Sequence, residues 1–205
     1  AADDQFAQLA GRIKGRGEEV MGELLITSIP SLSPSLSATL ARYSRANPQV
    51  TLRFMTDERL FRLEYGEAHV AIRAGKRPDQ PDNVVQKFFE LPHTLFATRD
   101  YVDEVGELDF SDMAQHRFVA EDDRDSRAPF YRWLQDMVPE RAITYRASAQ
   151  RSVVDAIRAG AGIGFLPVAV GERQPDLVQM MPAREEWAAT VWLVTHVDLH
   201  RTAKV

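Results

Sequence analysis

Small hydroxyl side chains follow several of the apolar segments of this 205-residue chain. Hydroxyl groups donate and accept hydrogen bonds, so a group of them at one edge of a sheet suits a small polar or anionic ligand. Serine and threonine are also good cap and turn residues, which explains about half of these positions without any ligand. The residues are Thr27, Ser28, Ser31, Ser33, Thr56, Thr98 and Ser148.

Neither catalysis nor cofactor binding is supported by the motifs present. The glycines of GAGIG, Gly160 to Gly164, follow a predicted helix and open a strand, whereas a dinucleotide-binding turn follows a strand and opens a helix. A helix end and a tight turn explain them better. Serine, histidine and aspartate all occur, but no G-x-S-x-G motif places a nucleophile on a sharp turn. We therefore predict no catalytic residues and no cofactor.

Two segments carry potential metal ligands. His196, Asp198 and His200 could place two imidazoles on one face, but no H-E-x-x-H motif or equivalent third ligand accompanies them. The acidic run from Glu121 to Asp125 lacks the regular spacing and the terminal Glu of a calcium loop, so a solvated loop explains it better. We therefore predict no metal site.

Four arginines are candidates for pairing with an anionic ligand, because a guanidinium group binds a carboxylate through two parallel hydrogen bonds. Arg124 and Arg127 lie in or beside the acidic run, and Arg73 and Arg146 lie near predicted strand ends. The sequence does not rank the four.

The elements that position these residues alternate between strands and helices. Apolar runs predict strands at Leu24–Ile29, Val50–Phe54 and His69–Ile72. A helix from Ser33 to Asn47 separates the first two, because serine before proline favours a helix start and Asn-Pro ends a helix. Strands separated by helices predict a mostly parallel sheet, and ligands bind such sheets where the strand ends meet helix N-termini.

The second half of the chain repeats the pattern of the first. Val50–Ile72 and Ile143–Phe165 each contain an apolar strand, a Thr or Ser, a helix, a Gly and another strand. In the first copy Leu60, Phe61 and Leu63 form the predicted helix face. We therefore predict two lobes of like construction.

Two further strands indicate where the chain passes between the lobes. Leu91–Val102 is typical of a strand that runs into a helix, and Ala189–His196 is an apolar strand that could return to the first lobe. Two such crossings would form a hinge. Phe130, Tyr131 and Trp133 are expected to pack a helix on the second lobe.

Composition narrows the functional class. The hydrophobic fraction of 44% and the charged fraction of 27% are typical of a soluble globular protein. The formal net charge of -5 is opposite in sign to a nucleic-acid-binding surface, so this chain alone is not expected to bind DNA tightly. The absence of cysteine excludes disulfides and thiolate sites. No apolar run approaches the ~20 residues of a membrane span, so we expect a cytoplasmic protein without a membrane partner.

The first 21 residues form a segment of their own. An apolar stripe with steps of three and four predicts a helix that needs a partner to cover it, although three glycines weaken that helix. A frayed tail is the alternative. The stripe consists of Phe6, Leu9, Ile13, Arg16 and Val20.

Seven blocks of the chain, in order from Gly22 to Val205, resemble the effector-binding domain of LysR-type transcriptional regulators. They are GELLIT, LARYSRANPQVTLRF, LFRLEYGEAHVAIRAG, LPHTLFATRDYV, LDFSDMAQHRFV, VVDAIRAGAGIGFLP and VWLVTHVDLHRTAKV. Single blocks are only moderately specific, whereas seven in the right order are strongly so.

The resemblance implies an α/β fold of the type 2 periplasmic-binding-protein-like class, with two Rossmann-like subdomains and a hinge of two crossover strands. It implies that residues 22–93 with 195–205 form subdomain I and that 94–194 form subdomain II. Residues 1–21 look like the end of the family's dimerising linker helix. DNA would be bound only through an N-terminal winged helix-turn-helix, which no part of this chain resembles.

The resemblance also implies a site and a function. The chain would sense a small polar or anionic metabolite, for which a carboxylate is one candidate, and act as a homodimer or homotetramer. A solute-binding protein of a transport system and an enzyme on a similar scaffold are the alternatives. The effector pocket falls on Ser28, Ser31, Ser33, Thr56, Ala97, Thr98, Gly164, Phe165 and Pro167, to which the pattern of strand ends adds Ser148.

Overall fold

The computed structural model describes residues 1–14, 22–57, 59, 62–63 and 66–199. The chain divides into two compact units, the first made of Ala1–Phe89 and the segment from Thr190 onward, the second of Glu90–Ala189. The chain therefore passes between the units at residues 89/90 and 189/190, a few residues before the predicted boundaries at 93/94 and 194/195. The predicted crossing segment Ala189–His196 contains the second passage, and the segment Leu91–Val102 begins directly after the first.

The described residues form the following elements. The strands are β1 (Glu23–Ser28), β2 (Thr51–Thr56), β3 (Val70–Ala74), β4 (Asn83–Leu91), β5 (His93–Thr98), β6 (Phe118–Glu121), β7 (Ile143–Ala147), β8 (Ile163–Pro167), β9 (Leu177–Gln179) and β10 (Ala189–His196). The helices are α1 (Ala2–Lys14), α2 (Ser33–Ala46), α3 (Arg99–Val105), α4 (Pro129–Met137), α5 (Gln150–Arg158) and α6 (Val168–Gly171).

The first unit contains a sheet in the order β2-β1-β3-β10-β4. β1 pairs parallel with both β2 and β3, whereas β10 runs antiparallel to β3. Parallel pairing of β1 and β2 requires a crossover, and α2 supplies it. The sheet is thus mixed rather than mostly parallel, because the returning strand β10 enters it from the opposite direction.

The second unit contains a sheet in the order β7-β6-β8-β5-β9. β6 pairs parallel with β7 and β8, and β5 runs antiparallel to β8 and β9. The strands that the sequence repeat matched, β2 with β7 and β3 with β8, hold the same places in the two sheets. The prediction of two lobes of like construction is therefore confirmed.

Helical spacing accounts for the apolar faces that cover these sheets. α2 buries Leu36, Leu40 and Tyr43, which recur in the sequence at the spacing of one helix face. In the second unit α4 buries Phe130 and Tyr131, as predicted. Gly160 follows α5 with φ 83°, a left-handed conformation that glycine adopts without strain and that ends the helix.

The apolar stripe of α1 is covered within the first unit. Phe6, Leu9 and Ile13 are each 2% exposed or less, and the ring of Phe6 meets that of Tyr43 of α2 edge to face at 5.3 Å. The partner that the sequence required is therefore α2 of the same chain. Arg16 and Val20, the rest of the predicted stripe, lie outside the described residues.

The helix predicted after Asp57 cannot be compared in full, because Leu60 and Phe61 lie outside the described residues. Leu63 is described and is 6% exposed, and it packs with Val194 of β10 in a small apolar cluster.

In the described parts of the chain, no helix is long and apolar enough to cross a membrane.

Candidate functional site

Two of the predicted ligand-binding hydroxyls meet at one edge of the first sheet. β1 and β2 are parallel and in register, so that Ser28 and Thr56 are paired at their carboxyl ends. The backbone N–H of Asp57 donates to the carbonyl oxygen of Ser28 at 3.1 Å, which holds the two strand ends together. Ser28 is 5% exposed, whereas Thr56 is exposed.

The start of α2 lies directly after this edge. A 3-10 turn, Pro30–Leu32, joins β1 to α2, a helix of 14 residues. Within the described residues no side chain caps this N-terminus, and Pro34 in the first turn carries no N–H. The first N–H groups of a helix have no acceptor within the helix and carry partial positive charge, so this end favours an anion.

Three buried hydroxyl groups in this region lack a hydrogen-bond partner among the described residues. They belong to Thr27, Ser28 and Ser35. A buried hydroxyl without a partner costs about 1–3 kcal/mol, so a ligand or water that supplies partners is favoured there. Ser35 is not among the residues predicted from the sequence, although serine occupies every second position of SLSPSLS and this regularity could have pointed to it.

Ser31 lies in the 3-10 turn, and Ser33 is the first residue of α2. Both side chains are half-buried. The carbonyl oxygen of Ser33 accepts a hydrogen bond from the hydroxyl of Ser37 at 2.7 Å.

The first charged side chain after β2 is Asp57, and the Nε of Arg59 lies 3.7 Å from its carboxylate. That pairing reduces the repulsion that an anion at this edge would meet.

Predicted residues at the end of β5 have local structural roles. Thr98 is the N-cap of α3, where its hydroxyl oxygen accepts the backbone N–H of Tyr101 at 3.1 Å. Ala97 is fully buried, and its methyl group packs in the core of the second unit. Capping and packing therefore explain both residues without a ligand.

The predicted residues of β8 are also tightly packed. A Cβ on Gly164 would lie 2.7 Å from Cδ1 of Ile157 and 3.1 Å from the carbonyl oxygen of Val119, so any larger residue between α5 and β6 would force these neighbours to shift. Phe165 is 2% exposed, and its ring lies 5.0 Å from that of Trp187. Pro167 ends β8 and is also buried.

The second sheet does not gather its predicted residues at one edge. β5 runs antiparallel to β8, with His93 opposite Pro167, so Thr98 lies at the other end of the sheet from Pro167. Ser148 follows β7, which is parallel to β6 and hence to β8, and it is exposed. The expectation that Thr98 shares an edge with Ser148 is therefore wrong, because β5 enters the sheet in the opposite direction.

The candidate arginines differ in their surroundings. Arg73 donates to the side chain of Gln80 at 2.9 Å, and Arg146 donates to the carbonyl oxygen of Glu121 at 3.4 Å. Arg124 pairs with Glu140 at 2.5 Å. Arg127 makes no ion pair with any described residue.

No group of three or more His, Asp or Glu that could hold a metal occurs among the described residues.

Two α/β units linked by two chain passages define a ligand-binding module of the type 2 periplasmic-binding-protein-like class. The family model of the LysR substrate binding domain matches residues 17–205. The chain belongs to this family and is the effector-binding domain of a LysR-type transcriptional regulator. A search of the curated proteins found no match.

Solved structures of regulatory domains share the fold. The regulatory domain of CrgA, a LysR-type regulator from Neisseria meningitidis, is 17% identical with a TM-score of 0.72, over 90% of this chain and 93% of that one. The effector domain of AmpR from Pseudomonas aeruginosa is 18% identical with a TM-score of 0.67, over 89% of each chain. A sulfate-bound mutant of the OxyR2 regulatory domain from Vibrio vulnificus is 17% identical with a TM-score of 0.68, over 88% of this chain and 89% of that one. None of these three is a transport protein.

Proposed function

We propose that this domain recognises a small anion at the strand edge formed by Ser28, Thr56 and the start of α2. The observation that carries the proposal is the hydroxyl of Ser28, which is buried and has no hydrogen-bond partner among the described residues. It lies on the residue that ends β1, one short turn before a helix N-terminus without a side-chain cap. A bound anion would accept from both.

The chemistry favours a carboxylate or a tetrahedral oxyanion. Hydroxyl and backbone N–H groups can all donate to such a ligand, and the partial charge at a helix N-terminus adds about 0.3–1 kcal/mol for each negative charge. The formal net charge of -5 would repel an anion over long distances, so recognition rests on these local donors. The sulfate-bound form of the OxyR2 domain is consistent with this class of ligand.

The predicted residues of the second unit do not all remain part of this proposal, because Thr98 lies at the other end of its sheet from Ser148 and Pro167. Thr98, Ala97, Gly164 and Phe165 have side chains that are used for capping or packing, or no side chain at all. Any contact that they make with the ligand would use backbone groups. Ser148 is exposed and could donate its hydroxyl, and Pro167 could offer only its carbonyl oxygen.

The regulatory consequence follows from linkage. A ligand shifts the balance between two forms of a protein only by its difference in affinity for them. We infer a cytoplasmic regulator without enzymatic activity, which acts as a homodimer or homotetramer and contacts DNA through a separate N-terminal domain. Family membership supports this picture, since LysR-type regulators bind small effectors and DNA.

Calorimetric titration with sulfate and a panel of small carboxylates tests the proposal. We expect Ser28→Ala and Thr56→Ala each to weaken binding about tenfold, which corresponds to one lost hydrogen bond to a charged group. Ser28→Ala should leave the ligand-free protein equally stable or more stable, because it removes a buried hydroxyl that has no partner in the described part of the chain. Ser152→Ala, on the exposed surface of α5, is the matched control. Binding that neither Ser28→Ala nor Thr56→Ala weakens would refute the site.

A further inference from the structure

The loop between β6 and α4 is held firmly against that helix. The side-chain amide of Gln135 donates to the carbonyl oxygen of Arg124 at 2.9 Å, and the Arg124 guanidinium pairs with Glu140 at 2.5 Å. Inside the loop, the carboxylate of Asp123 accepts the backbone N–H of Asp125 at 3.1 Å, and its carbonyl oxygen accepts the N–H of Ser126 at 3.3 Å. These contacts give the loop that carries the arginines a defined conformation.

Two neighbouring pockets lie along this loop, and both are lined only by residues of the second unit. The larger, of about 480 Å³, is lined by Arg124, Asp125, Ser126, Arg127, Arg132 and Gln135. The smaller, of about 290 Å³, is lined by Arg124, Gln135, Val138, Glu140, Ile143 and Arg146. Because Arg124 and Gln135 line both, one ligand could occupy the two together. Neither pocket includes a residue of the predicted effector pocket, although Arg124, Arg127 and Arg146 are among the arginines that the sequence offered for pairing with an anion.

The pockets carry an excess of positive charge. Four arginines stand against the two carboxylates of Asp125 and Glu140, an excess of two in a chain whose formal net charge is -5. The side chains of Arg127 and Arg132 are exposed and make no ion pair or hydrogen bond with any described residue. Two unpaired guanidinium groups beside the same pocket favour an anion with more than one negative charge.

We propose that these pockets form a second ligand site, for a phosphate monoester. A phosphate monoester carries about -1.5 to -2 charges at neutral pH, which matches the excess at the site, whereas a monocarboxylate carries only one. The guanidinium groups of Arg127 and Arg132 bind the phosphate oxygens. Ser126 lines the same pocket. Val138 and Ile143 offer an apolar surface for the organic part.

The site is independent of the effector site proposed above. Its lining residues all belong to the unit Glu90–Ala189, whereas Ser28 and Thr56 belong to the other unit. The loss of phenyl phosphate affinity that Arg127→Ala/Arg132→Ala causes should therefore be the same in a Ser28→Ala background as in the wild type. Failure of one proposal therefore does not imply failure of the other.

Calorimetric titration of the whole chain with phenyl phosphate and with inorganic phosphate tests this site. We expect the double variant Arg127→Ala/Arg132→Ala to bind phenyl phosphate at least about tenfold more weakly, through the loss of two charge-assisted contacts. Arg151→Ala, an exposed arginine of α5 that pairs with Asp155, is the control and should bind like the wild type. Inorganic phosphate should bind more weakly than phenyl phosphate, because it does not reach Val138 and Ile143.

Three outcomes would overturn the proposal. They are no detectable binding of phenyl phosphate by the wild type, equal affinity in the double variant, and equal affinity for the two phosphates. Both arginines are exposed, so the double variant should fold, and equal thermal unfolding temperatures would establish this. The variant Arg127→Lys/Arg132→Lys keeps the charge but loses the two-pronged geometry, and its affinity should fall between those of the wild type and the alanine variant.

Discussion

The imidazole of His93 is stacked on the ring of Phe130, with centroids 4.1 Å apart and planes inclined by 17°. Its Nδ1 lies 2.9 Å from the carbonyl oxygen of Leu91, so this nitrogen carries a proton and donates it. His93 is only 5% exposed, and burial lowers its pKa to about 4. The ring is therefore neutral in the folded protein under physiological conditions.

This relationship predicts a loss of stability in mild acid. Between an ordinary histidine pKa of about 6.5 and the folded value of about 4, the unfolded chain binds the proton and the folded chain does not. Stability is thus lost as the pH falls, and His93 alone should account for about 2 kcal/mol between about pH 7 and about pH 5. Urea denaturation of the wild type and of His93→Phe, at both pH values, measures this contribution.

The variant His93→Phe keeps an aromatic ring against Phe130 but removes the titrating group. Carboxylates elsewhere contribute equally to both proteins, so only the difference between the two pH dependences matters. Identical pH dependences in the two proteins would show that His93 is not a buried neutral group.

A pair of glycine substitutions tests the packing of the second unit. Gly164→Ala should destabilise the protein by about 1–3 kcal/mol, because the added Cβ meets Ile157 and the backbone of Val119. Gly11→Ala should stabilise it by about 0.5–1 kcal/mol, because Gly11 is an exposed position of α1 and the added Cβ would meet no described atom within 4 Å beyond the backbone of its own helix. Chemical denaturation of both variants is the measurement. Effects of the same sign would contradict this account.

The position of α1 predicts that it stabilises the first unit within a single chain. Phe6 is fully buried, so Phe6→Ala should lower the free energy of unfolding by about 3–5 kcal/mol. Gln8→Ala, on the exposed face of the same helix, should change it by less than about 0.5 kcal/mol. Chemical denaturation measures the stability of the variants, and analytical ultracentrifugation measures their oligomeric state. Together they show whether α1 packs within its own chain or on another subunit. A change of oligomeric state without a change of stability would mean that α1 packs on another subunit.

The buried pair Tyr101 and His116 gives a further prediction. The hydroxyl oxygen of Tyr101 accepts the backbone N–H of Arg117 at 3.0 Å and lies 3.1 Å from Nδ1 of His116. Tyr101→Phe leaves both groups without this partner and should cost about 1–3 kcal/mol. Tyr145→Phe, at a side chain that is 46% exposed, should have almost no effect. Thermal unfolding compares the two variants, and equal melting temperatures would argue against a buried hydrogen-bonded pair.

The meeting of Ser28 and Thr56 could be predicted because it follows from local pattern and one topological rule. Both residues end apolar strands that a helix separates, and a strand–helix–strand unit places its two strand ends at the same edge. Among the described residues the Ser28 hydroxyl has no hydrogen-bond partner, and this could not be predicted because it depends on every atom packed around that group. The same is true of Ser35.

The sequence by itself determined several of the elements and the family, but it did not predict β4, β6 or β9. The spacing of Leu36, Leu40 and Tyr43 defined the buried face of α2, since a helix returns to the same face every 3.6 residues. The repeat of strand and helix predicted two like units, and ordered blocks of residues indicated the LysR effector-binding domain.

Only the tertiary structure decided which of these residues share an edge and what they contact. Thr98 was separated from Ser148 and Pro167 by the antiparallel entry of β5, a direction that no local pattern encodes. Packing alone showed that Phe165 belongs to an aromatic core and that α1 is covered by α2. Strand direction and side-chain contacts are set by residues far apart in the chain, whereas periodicity reports only on neighbours.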